Sequence, residues 1–263
     1  MLSISAKSLV DLCRDVFAGW KKRRNPARAQ AQRLLDAFGA HGVAGVQIPR
    51  LLPEAFALPN AAFADADDLK GKLTPALLDW AADTFAWRRG WMDGVDPQRH
   101  LRVDGYKHPS IYRDWLEQRL AQPLNNDRVI HVWVSETPPL GPQSSGPLCI
   151  AYEEHFGDLD DQELRRYWLL SNHWRLDHSP CTENLMALCA IAAQFRIQVI
   201  GHVARSEALA RLDDGRLFVP ELLAQSHHRW FPADLIDPPP AEDSEWRQAL
   251  WIEAQTLLRS NMR

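Results

Sequence analysis

Four consecutive cations, Lys21, Lys22, Arg23 and Arg24, stand just ahead of an amphipathic segment that carries two more, Arg28 and Arg33. Between Val16 and Leu35 there are six cations and no acid. Lys and Arg at this density suit nucleic-acid phosphates, which position a protein on a duplex without reading its sequence. A helix opening at Pro26 would add free backbone N–H groups as anion donors beside them. The competing reading is a solvated turn between two helices, since basic runs are common on protein surfaces. Downstream, Gln47 and Arg50 are the candidates for base contact, because a planar amide suits adenine and a guanidinium suits guanine.

The other chemistry-bearing patterns are weaker. HWRLDHSPC (173–181) gathers His173, His178 and Cys181. Zinc needs four ligands at regular spacing, and only Asp177 or the distant His202 could complete the set. The segment therefore reads as hairpin histidines beside a helix, and no metal is expected. EEHFGDLDDQE (153–163) lacks the residue order of a calcium loop and a lysine suited to a nuclease centre, so it reads as a solvated acidic turn. Ser144 and Ser145 lie in a glycine-flanked loop with no identifiable partner histidine, and His227 and His228 beside Trp230 read as surface. G-x-S-x-G, phosphate-binding-loop and dinucleotide-fold signatures are all missing. No catalytic residue is assigned, so neither enzyme activity nor a cofactor is expected.

These residues must be held by a recognisable series of elements. Residues 3–22 and 26–40 read as helices, the second with Asn25 as N-cap and Pro26 at its first position, where the missing N–H costs nothing. Glycines break it within GAHGVAGVQIPRLLP (39–53). Thr74 and Pro75 open a helix whose Leu77, Leu78, Ala81, Ala82 and Phe85 point inward, with the helical region continuing to Gly94. Beyond it, another helix is read near 110–121. Strands are read at 129–135, 147–156, 163–171 and in IQVIGHVA (197–204). A buried helix capped by Thr182 and a short one between Ser206 and Gly215 accompany them. After DPPPAED a final helix, 244–260, carries Trp246, Leu250, Ala254 and Leu257 on one stripe.

With 263 residues and 46% hydrophobic content, the chain can bury a substantial core. No stretch matches a membrane span or signal peptide, and four cysteines without C-x-x-C spacing suit reduced, mostly buried thiols, so a cytoplasmic location is expected. The net charge of -4 is unevenly spread: residues 1–120 hold 18 Lys/Arg against 14 Asp/Glu, and the remainder 12 against 20. A basic front and acidic back point to a polyanion-binding head and a differently employed tail. Most of the eleven tryptophans are expected in the core.

LLDWAADTFAWRRGWMDGVD (77–96) resembles the closing helix of a Cro/Xre-type helix-turn-helix domain, with Leu78, Ala82, Phe85, Trp91, Met92 and Gly94 in the places that family fills. The resemblance covers about 20 residues well and about 70 loosely. It implies a five-helix DNA-binding bundle in which 26–40 and 45–52 form the helix-turn-helix unit, turning at Gly42 and burying Val43, Ile48 and Leu51. Two residues depart from the pattern: Phe38 stands where a small residue normally lets the helices close, and Pro49 lies inside the would-be recognition helix, so either that helix begins late, at about Ile48, or the unit is degenerate and no longer reads bases.

The expected fold class is mixed, an all-α helix-turn-helix-like bundle over 1–96 followed by an α+β domain over 97–263. The expected function is a double-stranded-DNA-binding regulator with Lys21, Lys22, Arg23, Arg24, Arg28 and Arg33 on phosphates. Its tail would sense a small-molecule or protein effector or mediate assembly. A homodimer through the final helix would let it read two half-sites, the competing reading being that the stripe docks onto its own domain. The alternatives are a protein-interaction module, immunity- or antitoxin-like, with a vestigial helix-turn-helix, and an enzyme of unrecognised type in the second domain.

Overall fold

A computed structural model describes residues 25–122, 127–240 and 242–261. The expected helix at 3–22 and the basic run Lys21–Arg24 lie outside the described residues. The chain is mixed, with helices in its N-terminal part followed by a six-stranded sheet flanked by helices. It divides into two compact units, one ending at Ala82 and taking in Arg89–Val95, the other made of Asp83–Arg88 and everything from Asp96 onward. No helix among the described residues is long and apolar enough to cross a membrane.

The first unit is helical. Asn25 accepts the Arg28 amide on its side-chain oxygen at 3.2 Å and opens helix α1 (Pro26–Ala40). Ala31, Leu34, Ala37 and Phe38 form the buried face of α1. Gly42 then turns the chain at φ +79°, a left-handed conformation that a side chain disfavours. Val43 and Ile48 are buried as expected, while Leu51 is only half-buried. The expected helix over 45–52 contracts to α2 (Ile48–Leu51), a single turn. Proline at its start and an extended Leu52 leading into Pro53 prevent it from growing. Short 3-10 turns and α3 (Ala66–Leu69), capped by Asp65, precede α4 (Pro75–Phe85). Thr74 caps α4 by accepting the Leu77 amide at 3.2 Å.

The helical region does not run unbroken to Gly94. Ala86 takes φ +57° and Trp87 enters a β-bridge with His100 before helix resumes as α5 (Arg89–Asp93). Trp87 is buried, stacked on Phe85 with ring centroids 4.6 Å apart, and both belong to the second unit. Their burial there comes with a break of less than one helical turn, Ala86–Arg88.

His41, at the C-cap of α1, donates Nδ1–H to the Ala37 carbonyl at 2.8 Å and is buried. Burial lowers its pKa to about 4, outweighing the opposing effect of the carbonyl. Between pH 6.5 and pH 4 the unfolded chain therefore binds a proton that the folded unit does not, and stability falls as pH falls through that window. We expect the first unit to lose about 3 kcal/mol over it. Hydrogen exchange at the Ala31 and Leu34 amides checks this, and protection that stays flat from pH 6.5 to 4 would show that His41 is not buried neutral.

The second unit is built on a sheet of order β3-β2-β1-β5-β6, from β1 (Arg128–Val134), β2 (Pro147–Leu159), β3 (Gln162–Leu169), β5 (Gln198–Val203) and β6 (His227–Trp230). The two-residue strand β4 (Trp174–Arg175) also pairs with β2. Strands β1 and β5 are parallel, and the other pairs are antiparallel. Alternation along the strands sorts the apolar residues onto two faces. Ile130, Val132, Val134, Leu148, Ile150 and Tyr152 face α6 (Pro109–Leu120), α7 (Ser179–Gln194) and α10 (Glu245–Asn261). Trp133, Cys149, Ala151, Tyr167 and Leu169 face α8 (Ser206–Asp213) and α9 (Val219–Gln225).

Three further expectations change. Helix α7 starts at Ser179 with proline in its first turn, so Thr182 sits inside it and donates to the Ser179 carbonyl at 3.1 Å. The supposed acidic turn is mostly strand: Glu153 and Glu154 are buried in β2, and only Asp160 and Asp161 make the hairpin turn, Asp160 at φ +55°. Along the final helix, Leu250 and Ala254 are buried, joined by Leu258, in the same core as α7, with Trp246 and Leu257 packed against it. The stripe proposed as a dimer surface is thus spent on its own unit.

Candidate functional site

The pleat sends the adjacent residues Glu153 and Glu154 to opposite faces of the sheet, and each gathers a different network. Glu154, fully buried, accepts Arg119 in a two-point pair at 2.6 and 3.0 Å, Arg166 at 2.6 Å and the Tyr152 hydroxyl at 3.2 Å. Burial works to raise its pKa, but Arg119 and Arg166 outweigh it and hold the carboxyl below the ordinary value. The guanidinium groups of Arg119 and Arg166 also lie over the Trp168 ring, at 4.5 and 5.3 Å from its centroid. Each side chain in this network has a partner within it, which fits a structural role.

Glu153 points to the other face, toward two histidines. Strands β1 and β5 run side by side, with Trp133 opposite His202 and His131 opposite Ile200. His131 Nε2 lies 3.2 Å from Glu153 Oε2, and His131 Nδ1 lies 2.9 Å from His202 Nε2. The other carboxylate oxygen of Glu153 takes Arg165 from β3, and Tyr167 donates to the same carboxylate. His202 stacks on Trp133, ring centroids 5.3 Å apart. Glu153, His131 and His202 are each buried.

Charge and proton positions follow from this geometry. Burial works to raise the Glu153 pKa, but His131, Arg165 and Tyr167 together bring it below the ordinary value, so the carboxylate is ionised at neutral pH. An ionised carboxylate only accepts, so His131 donates Nε2–H to it. A neutral His131 then offers Nδ1 as an acceptor, and His202 donates Nε2–H to it. Burial, the largest cause, together with the permanent positive charge of Arg229, lowers the His202 pKa to about 4, which keeps this imidazole neutral at pH 7. Its remaining nitrogen, Nδ1, is therefore an acceptor, with no hydrogen-bond partner among the described residues.

The chain Glu153–His131–His202 ends at a cavity of about 390 Å³ lined by His131, Ile200, His202, Leu223, Ser226 and the β6 residues His227, His228 and Arg229. Its wall is held by Ser226, which accepts Trp133 Nε1–H at 2.8 Å and donates to the Leu222 carbonyl at 2.7 Å. Three ionisable side chains buried together on one sheet face are costly unless they are paired, and such arrangements cluster at functional sites. Chemically, a neutral imidazole oriented by a second imidazole and a carboxylate can accept a hydrogen bond or a proton from a molecule in the cavity.

Sequence reasoning passed over this group. In the sequence His202 reads only as a remote zinc ligand and Glu153 as part of a solvated turn, whereas His227 and His228 read as surface and are indeed exposed. His131 stood unremarked inside a strand. The signal available was two histidines, each in a run of strand-forming residues, but their meeting depends on the β1–β5 pairing.

Of the residues expected to contact DNA, Lys21, Lys22, Arg23 and Arg24 lie outside the described residues. Arg28 pairs with Asp67 at 3.2 Å, and Asp67 also takes Lys70 at 2.8 Å. The Arg33 guanidinium lies against the bare Cα of Gly94 and occupies the space a Cβ there would need. Gln47 accepts the Ala44 amide on Oε1 at 2.9 Å, stiffening the turn before α2. Arg50 is exposed on α2.

His173, His178 and Cys181 do meet, with Asp104, Tyr106, Asn172 and Trp174, around a smaller cavity of about 190 Å³. The Tyr106 hydroxyl is 2.8 Å from His178 Nε2, and burial raises the Cys181 thiol pKa. Among the described residues no group of three or more His, Cys, Asp and Glu is arranged to hold a metal ion. Cys149, Cys181 and Cys189 are free and buried. The Ser145 hydroxyl donates to Glu136 at 3.0 Å, and that of Ser144 accepts the Gly141 amide at 3.0 Å, so both serines brace their loop. Comparison of the chain with protein-family models, curated proteins and solved structures finds no match to any of them.

Proposed function

We propose that this chain is a ligand-responsive regulator whose sheet unit takes up a small molecule beside His202 and whose helical unit contacts double-stranded DNA. One observation carries the ligand half: a buried, oriented Glu153–His131–His202 chain ends in an unfilled acceptor at a cavity of about 390 Å³. A cavity of that size falls in the range of small-molecule sites. Filling it should abolish binding. Compounds that raise the melting temperature of the native chain should have no effect on Ile200→Trp, whose indole would occupy the cavity. Equal shifts in both proteins would place the ligand elsewhere.

The DNA half rests on the Cro/Xre resemblance and is supported by the left-handed Gly42 turn with Val43 and Ile48 buried after it. Replacing two of Lys21, Lys22, Arg23 and Arg24 with alanine should weaken binding to all duplexes alike and lower the slope of log K against log salt by about one per lost contact. An unchanged slope would return the run to a solvated surface.

The single turn of α2 favours a second reading, a protein-interaction module with a vestigial helix-turn-helix. A four-residue helix is only about 6 Å long, too short to lay several side chains along a major groove. Duplex DNA that fails to bind at low salt would decide for it.

A further inference from the structure

The cavity beside His202 also carries information about the class of molecule it takes, on the premise that it is a ligand site. Among the described residues its lining contains no Asp or Glu. The nearest buried carboxylate, Glu153, stands behind His131 and is already met by Arg165. Arg229, directly across the ladder from His202, brings a permanent positive charge to the same lining and makes no ion pair among the described residues. Ile200 and Leu223 supply apolar wall, and His202 Nδ1 supplies an acceptor that needs a donor.

We infer that the cavity binds a small organic anion that also carries a hydroxyl or amino donor. The anionic group sits on Arg229, the donor on His202 Nδ1 and the carbon skeleton against Ile200 and Leu223. A guanidinium matches a carboxylate or phosphate in a two-point pair that an ammonium cannot reproduce, and in a half-enclosed site such a pair is stronger than in open water. The acceptor adds selectivity of another kind. A ligand without the donor leaves a desolvated imidazole nitrogen unsatisfied, so it pays a penalty instead of merely forgoing a bond. Glu153 and His131 are positioning residues here, because they fix which His202 nitrogen faces the ligand.

Three matched probes separate these contributions: mandelate, its neutral relative 1-phenyl-1,2-ethanediol, and phenylacetate, which keeps the charge but lacks the hydroxyl. Calorimetry on the full chain gives affinity, and the ¹⁵N shifts of the histidine side chains report occupancy. Mandelate should shift the His202 signals and bind at least tenfold more tightly than either relative. Arg229→Gln should erase its advantage over the diol and preserve its advantage over phenylacetate. If the diol shifts His202 and binds as tightly as mandelate, the cavity is a ligand site but the anion assignment is wrong. Mandelate binding that is unchanged in Arg229→Gln would equally overturn it. If no probe at millimolar concentration moves His202, the anion assignment and the ligand-site reading fall together.

Discussion

Glu154→Gln should destabilise the second unit by about 3–5 kcal/mol, the usual penalty for breaking a buried charge network on one side only. The carboxylate is fully buried and accepts four hydrogen bonds, from Arg119, Arg166 and Tyr152. Glutamine keeps the shape but turns one acceptor into a donor aimed at a guanidinium, and it leaves two half-buried cations without a counter-charge. The loss should appear in urea unfolding as a lower midpoint at unchanged slope. Asp177→Asn is the control, because its pair with Arg175 is exposed and screened, and its midpoint should not move. A Glu154→Gln loss below about 1 kcal/mol would mean that water reaches the network, against the burial on which it depends.

Trp91→Ala should cost the first unit a comparable amount, about 3–5 kcal/mol, as truncation of a large aromatic in a core does. Trp91 is only 8% exposed and lies on α5 beside the fully buried Met92. The side chain supplies a large share of the apolar area of a small unit, and a one-and-a-half-turn helix cannot stay in place once its anchor is gone. Loss of protection at Leu34 and Ala37 in hydrogen exchange reads the effect locally. Protection equal to that of the native chain would show that α5 does not close the bundle.

Some of this architecture was legible in the sequence because its causes are local. Asn25 before Pro26 and Thr74 before Pro75 place their helix starts correctly, since a cap and a proline act within four residues. Strands β1, β2 and β5 show as runs of β-branched and aromatic residues for the same reason. Long-range causes left no such trace. The break at Ala86 exists because Trp87 pairs with His100, and within residues 75–94 the helical pattern is uninterrupted. Glu153 and Glu154 looked like solvent-facing charges because their partners are remote, Arg119 lying 35 residues from Glu154 and His131 22 residues from Glu153. His131 and His202 are 71 residues apart and meet only through a parallel pairing that no local pattern encodes. The helix after the Gly42 turn starts late, at Ile48, as Pro49 allows, and is shorter than the expected 45–52, since proline at its start is part of what confines α2 to one turn.

The final helix carries a related lesson. Its apolar stripe was correctly read, but a stripe says only that a face must be buried and not against what. Here the cover is α7 and α6 of the same unit.

The proton arrangement at His131 and His202 tests the central claim most directly, because both the acceptor facing the cavity and the ligand class depend on it. Long-range ¹H–¹⁵N correlation spectra at pH 7 distinguish the two neutral tautomers and the charged form of each ring. Both histidines should be neutral with the proton on Nε2, His131 should switch tautomer in Glu153→Gln, and His202 should begin to protonate only as pH approaches about 4. A His202 that carries its proton on Nδ1, or is charged at pH 7, would contradict the account, because the cavity would then meet its ligand with a donor where an acceptor is required.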